Sequence, residues 1–255
     1  VETVRARVVI LAQDEPLFIP GIFRTLVDGL GDRLVGAGFF PPAPSAKSFK
    51  REYVDRLRYY GPVAFTRIAL RYVMAKLTSP GPGALARTRG IPLIEWDSGL
   101  LNDPELIGHL RGLDLDVLLV LGNQIVPREL MDATRLGCFN IHLSLLPKDR
   151  GREPVFHAMS RGEDEVGVTV HRMAEALDAG DVYGRARTVV GAGDTVLGVT
   201  GRLWKKGAEL FCRMIDDIEA AAFTLEPQDD ERATYNRFPD ASAARAIRAR
   251  RRRDV

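Results

Sequence analysis

Long hydrophobic runs and cysteines are scarce in this chain of 255 residues. No stretch of about 18 apolar residues is present, so we expect no transmembrane helix. The first residues lack the charged start, apolar core and cleavage site of a signal peptide. The two cysteines, Cys138 and Cys212, cannot form a disulfide framework and are typical of a reducing compartment. Together these absences predict a cytoplasmic protein.

A large excess of charge of one sign is also missing, because the formal net charge is only +2. The distribution is nevertheless uneven, since six arginines lie between Arg245 and Arg253. Without those six, 30 of the 36 basic residues remain against 34 acidic ones, a balance of about −4. We therefore do not expect nucleic acid as a partner of the main body. The Arg-rich end is expected to pack on its own domain, and the alternative is that it binds RNA or an acidic membrane.

Seven short apolar runs predict β-strands, and helical patterns separate them. The first five runs are largely apolar, as expected for strands that are covered on both faces. This alternation predicts an α/β fold with a doubly wound, mostly parallel, Rossmann-like sheet and helices on both faces. The predicted strands are residues 8–11, 34–39, 91–95, 117–121, 139–142, 167–172 and 183–190. The predicted helices are residues 22–30, 104–111, 153–161 and 196–222.

Residues 47–77 predict a helical insertion between two of the strands. Large apolar residues recur there at roughly helical spacing, and Gly61-Pro62 divides them into two helices that are basic on the outside. We expect this pair to cover the core. Two alternatives stay open, in which the pair forms a wall of a substrate pocket or an element that lies on a membrane surface.

The turn after the first strand lacks the Gly-x-Gly-x-x-Gly pattern that holds a dinucleotide pyrophosphate. An ordinary nicotinamide site is therefore not expected despite the fold class. Ligands of open α/β sheets bind beyond the carboxyl ends of the strands. His142 ends the fifth predicted strand, and residues 122–127 follow the fourth, so we expect the two segments to lie side by side.

Asn140 and His142 are the strongest candidates for chemistry. Strand side chains alternate between faces, so residues 140 and 142 point the same way. An asparagine amide can donate to a developing oxyanion, and a histidine can carry a proton near neutral pH. Asp178, in a turn that contains glycine, can orient such a histidine. Amide, imidazole and carboxylate together suit acyl transfer to an amine.

Two competing chemistries fit the sequence less well. Zinc binding would need ligands such as His142, His157, His171 and Asp178, but no His-Glu-x-x-His pattern occurs and we expect no metal. Cys138 shares a strand face with His142, yet four residues of strand separate the two by roughly 13 Å. A cysteine in such a strand is expected to be a small buried residue rather than a nucleophile.

Two longer motifs give these residues a context. Residues 140–147 read Asn-Ile-His-Leu-Ser-Leu-Leu-Pro and are followed by Arg150-Gly151. Residues 167–171 read Gly-Val-Thr-Val-His, and Asp178 follows His171 by seven positions. Over roughly residues 5–225 this ordered set resembles the folate-dependent formyltransferase family. The family includes glycinamide ribonucleotide, methionyl-tRNA and sugar N-formyltransferases, and the chain is most like its short stand-alone sugar N-formyltransferase members.

The resemblance implies roles for individual residues. Asn140 would polarise the formyl carbonyl, His142 would shuttle a proton, and Asp178 would tune His142 and hold a water. Ser144 would lie behind the catalytic residues without touching the substrate, and His171 would shape the loop that precedes Asp178. The backbone that faces the pterin of the donor would be that of Gln124, Ile125, Val126, Glu175, Ala176 and Leu177.

The resemblance also implies the activity. The expected reaction moves a formyl group from 10-formyltetrahydrofolate to the primary amine of a small acceptor, with an amino sugar, linked to a nucleotide, as the leading choice. One alternative is a formyltetrahydrofolate hydrolase that uses water in place of the amine. Another is a catalytically silent folate-binding protein.

The same resemblance divides the chain and leaves its assembly open. Residues 1–225 would form the catalytic domain, with the helical insertion at about 47–78. Residues 226–255 would form a C-terminal tail that is too short for a tRNA-binding barrel. The charges at Arg152 and Glu153 depart from the small or apolar residues of relatives and predict a different acceptor pocket. A homodimer is compatible with the sequence, although no segment marks an interface.

Overall fold

A seven-stranded sheet forms the centre of the computed structural model, which describes residues 5–42, 57, 60–239 and 241–250, except the side chains of 241, 244 and 248–250. Its strand order is β3-β2-β1-β4-β5-β7-β8. All seven predicted strands are confirmed, six with small shifts at their ends, whereas the fifth begins at Thr134, five residues before the predicted start. The strands are β1 Val8–Gln13, β2 Leu34–Phe40, β3 Leu93–Ile94, β4 Leu115–Leu121, β5 Thr134–His142, β7 Glu165–Arg172 and β8 Val182–Val189.

The sheet is mostly parallel, as the sequence predicts. The strands from β3 to β5 run in parallel, whereas β5 pairs with β7, and β7 with β8, in antiparallel fashion. The change of direction falls at β5. That strand pairs with β4 up to Phe139 and with β7 from Phe139 to His142. The candidate residues Asn140 and His142 therefore lie where the parallel part of the sheet ends.

Helices cover both faces of the sheet and bury two apolar clusters. Val8 and Ile10 of β1 pack in the larger cluster, whereas Val9 and Leu11 pack in the smaller one, because neighbouring strand residues point to opposite faces. The larger cluster includes the apolar stripes of α1 and α7, and the smaller one that of α4. The helices are α1 Ile19–Leu30, α2 Pro62–Thr78, α3 Pro82–Thr88, α4 Pro104–Arg111, α5 Arg128–Met131, α6 Pro154–Arg161, α7 Val196–Glu219 and α8 Ala241–Arg250.

The predicted helices agree with these bounds to within about three residues at each end. The second half of the predicted insertion is α2, which begins at Pro62 directly after Gly61. Most of the first predicted helix of the insertion lies outside the described residues. Within the described part of the chain, no helix is long and apolar enough to cross a membrane.

The segment after α7 returns to the body and pairs with a loop that follows β5. Two short strands, β6 Arg150–Gly151 and β9 Tyr235–Asn236, run in parallel as a separate two-stranded sheet. Gly151 has a φ of 96°, and a Cβ there would overlap the carbonyl oxygen of Asn236. Only glycine allows this approach without strain. Helix α8 packs against α6, and its Ile247 is buried.

Helix α7 approaches the sheet closely through a glycine. Gly207 is buried over β5 and β7, and a Cβ at this position would overlap Ile141 Cγ2 and lie 2.9 Å from Val168 Cγ2. The missing side chain lets the helix backbone rest directly on the strand that carries Asn140 and His142. Gly201, on the same helix, meets only Phe18 Cε1 at 3.8 Å, an ordinary contact.

Gly207→Ala is expected to destabilise the fold by about 1–3 kcal/mol, because the overlap with the sheet outweighs the better helix propensity of alanine. Gly201→Ala is the matched control and is expected to keep or slightly raise stability. Urea unfolding of both variants measures the difference. Equal stability of the two alanine variants would contradict the close packing at Gly207.

Candidate active site

Asn140 lies where β5 separates from β4. The parallel pairing of these strands ends at Leu119 and Phe139, and the backbone of Asn140 pairs instead with His171 of β7. The Asn140 side-chain amide bonds to β4 in place of the backbone, because its Nδ2 donates to the carbonyl oxygen of Val120 at 2.7 Å. This bond uses one of the two amide hydrogens. The second hydrogen is chemically available to a carbonyl oxygen on a bound molecule.

His142 ends β5 and is buried, with 7% of its surface exposed. Its Nε2 lies 2.9 Å from the backbone carbonyl oxygen of Asp149. A carbonyl can only accept, so Nε2 carries the hydrogen of this bond. The other ring nitrogen, Nδ1, faces Asp178 Oδ2 at 3.6 Å. The imidazole is thus oriented from both sides, with a carboxylate beside the nitrogen that can take up a proton.

Asp178 reaches His142 from the loop between β7 and β8. Its backbone is left-handed, with a φ of 53°, and its carboxylate is largely buried. Oδ2 accepts a hydrogen bond from the Gly151 backbone N–H at 2.8 Å, and the Asp178 carbonyl accepts one from Gln228 Nε2 at 2.9 Å. Three chain segments, at 149–151, 178 and 228, therefore meet around His142.

His171 lies beneath this pair and is 1% exposed. Its Nδ1 donates to the Arg172 carbonyl oxygen at 3.0 Å. Its Nε2 lies 3.9 Å from Asp178 Oδ1 and has no hydrogen-bond partner among the described residues. Burial, together with the nearby His142, lowers the pKa of His171 to about 4. His171 is therefore a neutral imidazole at ordinary pH, wedged beside the site.

Ser144 shapes the turn that follows the strand. Its hydroxyl donates to the Lys148 carbonyl oxygen at 2.7 Å, and its own carbonyl accepts from Thr169 Oγ1 at 2.6 Å. The first bond closes the turn, and the second joins the turn to β7. Ser144 therefore acts on His142 through the loop, and its hydroxyl is bonded to Lys148 rather than to the imidazole.

The residues that the sequence assigns to the donor fall on two neighbouring loops. Gln124 is turned inward, where its amide bonds to Leu101 N, Pro41 O and Gly99 O. Ile125 is 91% exposed and Leu177 is 62% exposed, whereas Val126 is buried.

An ion pair ties these two loops together, because Glu175 lies 2.9 Å from Arg128. A cleft of about 460 Å³ lies beside Glu175, between α5, the start of β5 and the end of β7. Its lining includes Met131, Leu136, Met173, Ala174 and Glu175.

Cys138 lies on the wall of this cleft but is not suited to nucleophilic attack. It is 1% exposed, and its Sγ lies 3.5 Å from the sulfur of Met173. Burial raises the pKa of its thiol well above the ordinary value, so the reactive thiolate is suppressed.

The sequence did not identify the residues that fix the loop whose carbonyl binds His142. Asp149, 3% exposed, binds Asn236 Nδ2 at 2.7 Å through Oδ1 and Arg161 through Oδ2. Its backbone N–H donates to Thr234 Oγ1 at 2.8 Å. The nearest signal was the unusual charge of Asp149 after Pro147. Nothing in the local sequence points to partners more than 80 residues away.

Comparison with known proteins identifies the family of the chain. The sequence model of the family described as "Formyl transferase" matches residues 68–215. A methionyl-tRNA formyltransferase of Synechococcus sp. (strain JA-3-3Ab) is 38% identical over 162 residues, 63% of this chain and 50% of that protein. The chain thus spans about half the length of the curated relatives it matches.

Solved structures of formyltransferases share the fold. A sugar N-formyltransferase from Shewanella sp. FDAARGOS_354 superposes with a TM-score of 0.57 at 19% identity, covering 90% of this chain and 76% of that one. An N-formyltransferase from Helicobacter canadensis, in complex with folinic acid and dTDP-3-aminofucose, gives 0.58 at 14% identity, covering 94% and 79%. Since the family model covers more than half of the sequence, the chain belongs to the formyl transferase family.

Proposed function

We propose that this chain transfers a formyl group from 10-formyltetrahydrofolate to the primary amine of a small acceptor. The observation that carries the proposal is the placement of His142 between the Asp149 carbonyl and the Asp178 carboxylate. Asn140 stands two residues earlier on the same strand. In a member of the formyl transferase family, this set supplies a carbonyl-polarising amide and a proton carrier with its counter-charge.

Asn140 and His142 divide the work of acyl transfer. The second amide hydrogen of Asn140 donates to the formyl oxygen as that oxygen gains negative charge, a contribution of about 2.7–4 kcal/mol in comparable sites. The attacking nitrogen must lose a proton, which His142 takes up at Nδ1, directly or through a water. Asp178 then faces the new positive charge at 3.6 Å and stabilises it. As the carbonyl re-forms, the bond between the formyl carbon and N10 of the donor breaks, and the proton passes from His142 to N10 of the departing tetrahydrofolate.

The neighbouring His171 does not compete for this proton. Its lowered pKa, about 4, keeps it neutral over the range in which an amine acceptor loses its proton. The positive charge that faces the Asp178 carboxylate during the reaction is therefore on His142. The buried, unsatisfied Nε2 of His171 also leaves one acceptor facing Asp178, a place for the ordered water expected beside the carboxylate.

The donor site is assigned to the two loops at 124–126 and 175–177, and the cleft that Glu175 lines extends from the second of them. The volume of this cleft is about 460 Å³, within the range of small-molecule sites. Met131 and Met173 contribute apolar lining to the cleft, and Ile125 and Leu177 are exposed on the two loops. A flat heteroaromatic ring gains by covering such surfaces, while backbone groups of the two loops fix its edge. The folinic acid bound to the structurally similar Helicobacter canadensis protein supports a folate as the donor.

An amino sugar is our leading acceptor, and it is supported by the sugar N-formyltransferases that share the fold over about nine-tenths of this chain. A second acceptor, methionyl-tRNA, is favoured by the 38% identity to the Synechococcus protein. The direct test incubates the purified chain with 10-formyltetrahydrofolate and either nucleotide-linked amino sugars or methionyl-tRNA. Formylated product is then measured by mass spectrometry. Formate release without any acceptor would instead indicate the hydrolase.

His142→Ala is expected to reduce formyl transfer by roughly 10²- to 10⁴-fold, because the proton carrier is removed. His109→Ala, at an exposed position on α4, is the matched control and is expected to keep full turnover. Initial rates with the active acceptor measure both variants. Retained turnover in His142→Ala would refute the role proposed for this residue.

His171 also predicts a pH dependence of stability. Its folded-state pKa of about 4 lies below the ordinary 6.5, so between these values the unfolded chain binds a proton that the folded chain does not. Stability is therefore expected to fall as the pH drops from 6.5 toward 4. His171→Gln should reduce the slope of unfolding free energy against pH by up to the contribution of about one bound proton. His109→Gln should leave that slope unchanged. Urea unfolding from pH 7 to pH 4 measures the slopes, and identical slopes would contradict a buried neutral His171.

Asn236→Ala removes one of the two side chains that hold the Asp149 carboxylate. We expect a loss of roughly 1–3 kcal/mol in stability, because a buried charged acceptor loses its hydrogen bond. Turnover should fall by about tenfold or more as the Asp149 carbonyl shifts from His142. Asn102→Ala, at an exposed position, is the control. Thermal denaturation measures the stability of both variants, and initial rates measure their turnover. If Asn236→Ala is less stable but keeps full turnover, the contact between Asn236 and Asp149 does not contribute to catalysis.

A further inference from the structure

Helix α2 carries an apolar stripe that the body of the protein does not cover. The stripe consists of residues that are 49–76% exposed, namely Val63, Leu70, Val73, Met74 and Leu77. At 100° per residue, these five positions fall within an arc of about 100°. Exposed apolar residues scattered singly are common, whereas an aligned set of five on one helix indicates a binding surface.

The stripe lies on the side of α2 that faces away from the sheet. Ala64 is buried, and Ile68 and Ala75 are half-buried, so these residues mark the side that meets the body. On the same helical projection they lie roughly opposite the stripe. The helix therefore has two apolar faces, one used for packing in the fold and one directed outward.

The charge of this region restricts what can cover the stripe. Helix α2 carries Arg67, Arg71 and Lys76 and no acidic residue. Residues 47–78 as a whole contain eight basic and two acidic residues, although the net charge of the entire chain is only +2. On the projection, Arg71 and Lys76 flank the stripe on opposite sides. Helix α2 itself therefore displays three basic side chains and no acidic one around its outward apolar face.

We infer that α2 binds the surface of an anionic lipid bilayer, with its apolar stripe inserted at the headgroup boundary. A cationic helix with one outward apolar face has the composition of an interfacial helix, and basic residues beside it gain about 1 kcal/mol each near anionic lipid. The long stems of Arg71 and Lys76 let the charged ends reach the headgroups while the stripe is buried. A second copy of this chain is disfavoured as the occupant, because pairing the stripes would bring two cationic helices together. The inference is independent of the proposed reaction.

The experiment uses the full chain and vesicles of phosphatidylcholine with or without roughly a third of phosphatidylglycerol. Flotation is expected to recover the protein with the anionic vesicles, and less with added salt, since the attraction is partly screened. Leu70→Gln with Leu77→Gln should lower the partition coefficient by about 10- to 100-fold, because two apolar side chains no longer insert. Both residues are exposed, so thermal stability should remain within about 0.5 kcal/mol of the unchanged chain.

Val189→Gln provides the matched control, because Val189 is 70% exposed on β8 and lies outside the stripe. This variant should bind vesicles as the unchanged chain does. The inference is overturned if the chain does not float with anionic vesicles, or if the double variant binds as well as the control. Sedimentation equilibrium provides a second readout. A dimer abolished by the double variant, without vesicle binding, would assign the stripe to a second copy and also overturn the inference.

Discussion

The hydrogen bond from Asn140 to the Val120 carbonyl marks the point from which the site is organised. A parallel strand pair and an antiparallel pair meet at β5, which pairs with β4 along one edge up to Phe139 and with β7 along the other edge from Phe139 onward. Beyond that residue, the Val120 carbonyl has no ladder partner in β5, and a buried carbonyl without a partner is costly. The Asn140 side chain supplies the missing donor at 2.7 Å. The same amide is thus held in place by the fold before any ligand arrives, which is the preorganisation that acyl transfer requires.

A second constraint follows from the position of His142 at the very end of that strand. No regular ladder extends beyond it, so the orientation of the ring depends on the loop at 149–151. That loop contributes the Asp149 carbonyl to the ring and the Gly151 N–H to Asp178. It is in turn fixed by the segment at 228–236, through β9 and through the side chains of Gln228 and Asn236. The boundary that the sequence suggests at residue 225 therefore does not separate the tail from the site in space, because the tail contacts the centre of the site.

The sequence predicted the parts of the structure that obey local rules. Buried strands and amphipathic helices have distinctive apolar periodicities, so the sheet and its covering helices were recognised from single segments. The spacing between His171 and Asp178 was recognised only through the family resemblance, and the structure places the two side chains 3.9 Å apart. Strands β6 and β9 were missed because two residues carry no periodicity, and their pairing is set by partners 85 positions apart. Strand alternation put Asn140 and His142 on one face, but it could not reveal that the Asn140 amide is already bonded to β4.

The buried arginine of the loop limits how the acceptor can be recognised. Arg150 is 2% exposed, and its guanidinium is bound by Gln228, Asp230 and Tyr235. With those donors engaged inside the protein, Arg150 cannot also grip a phosphate unless the segment at 228–235 moves away. Recognition of a nucleotide-linked acceptor would then require exposed cations, and Lys148 and Arg152, two positions to either side of Arg150, are both exposed. The buried arginine of the motif therefore has a structural role, whereas the cations next to it in sequence are displayed on the surface.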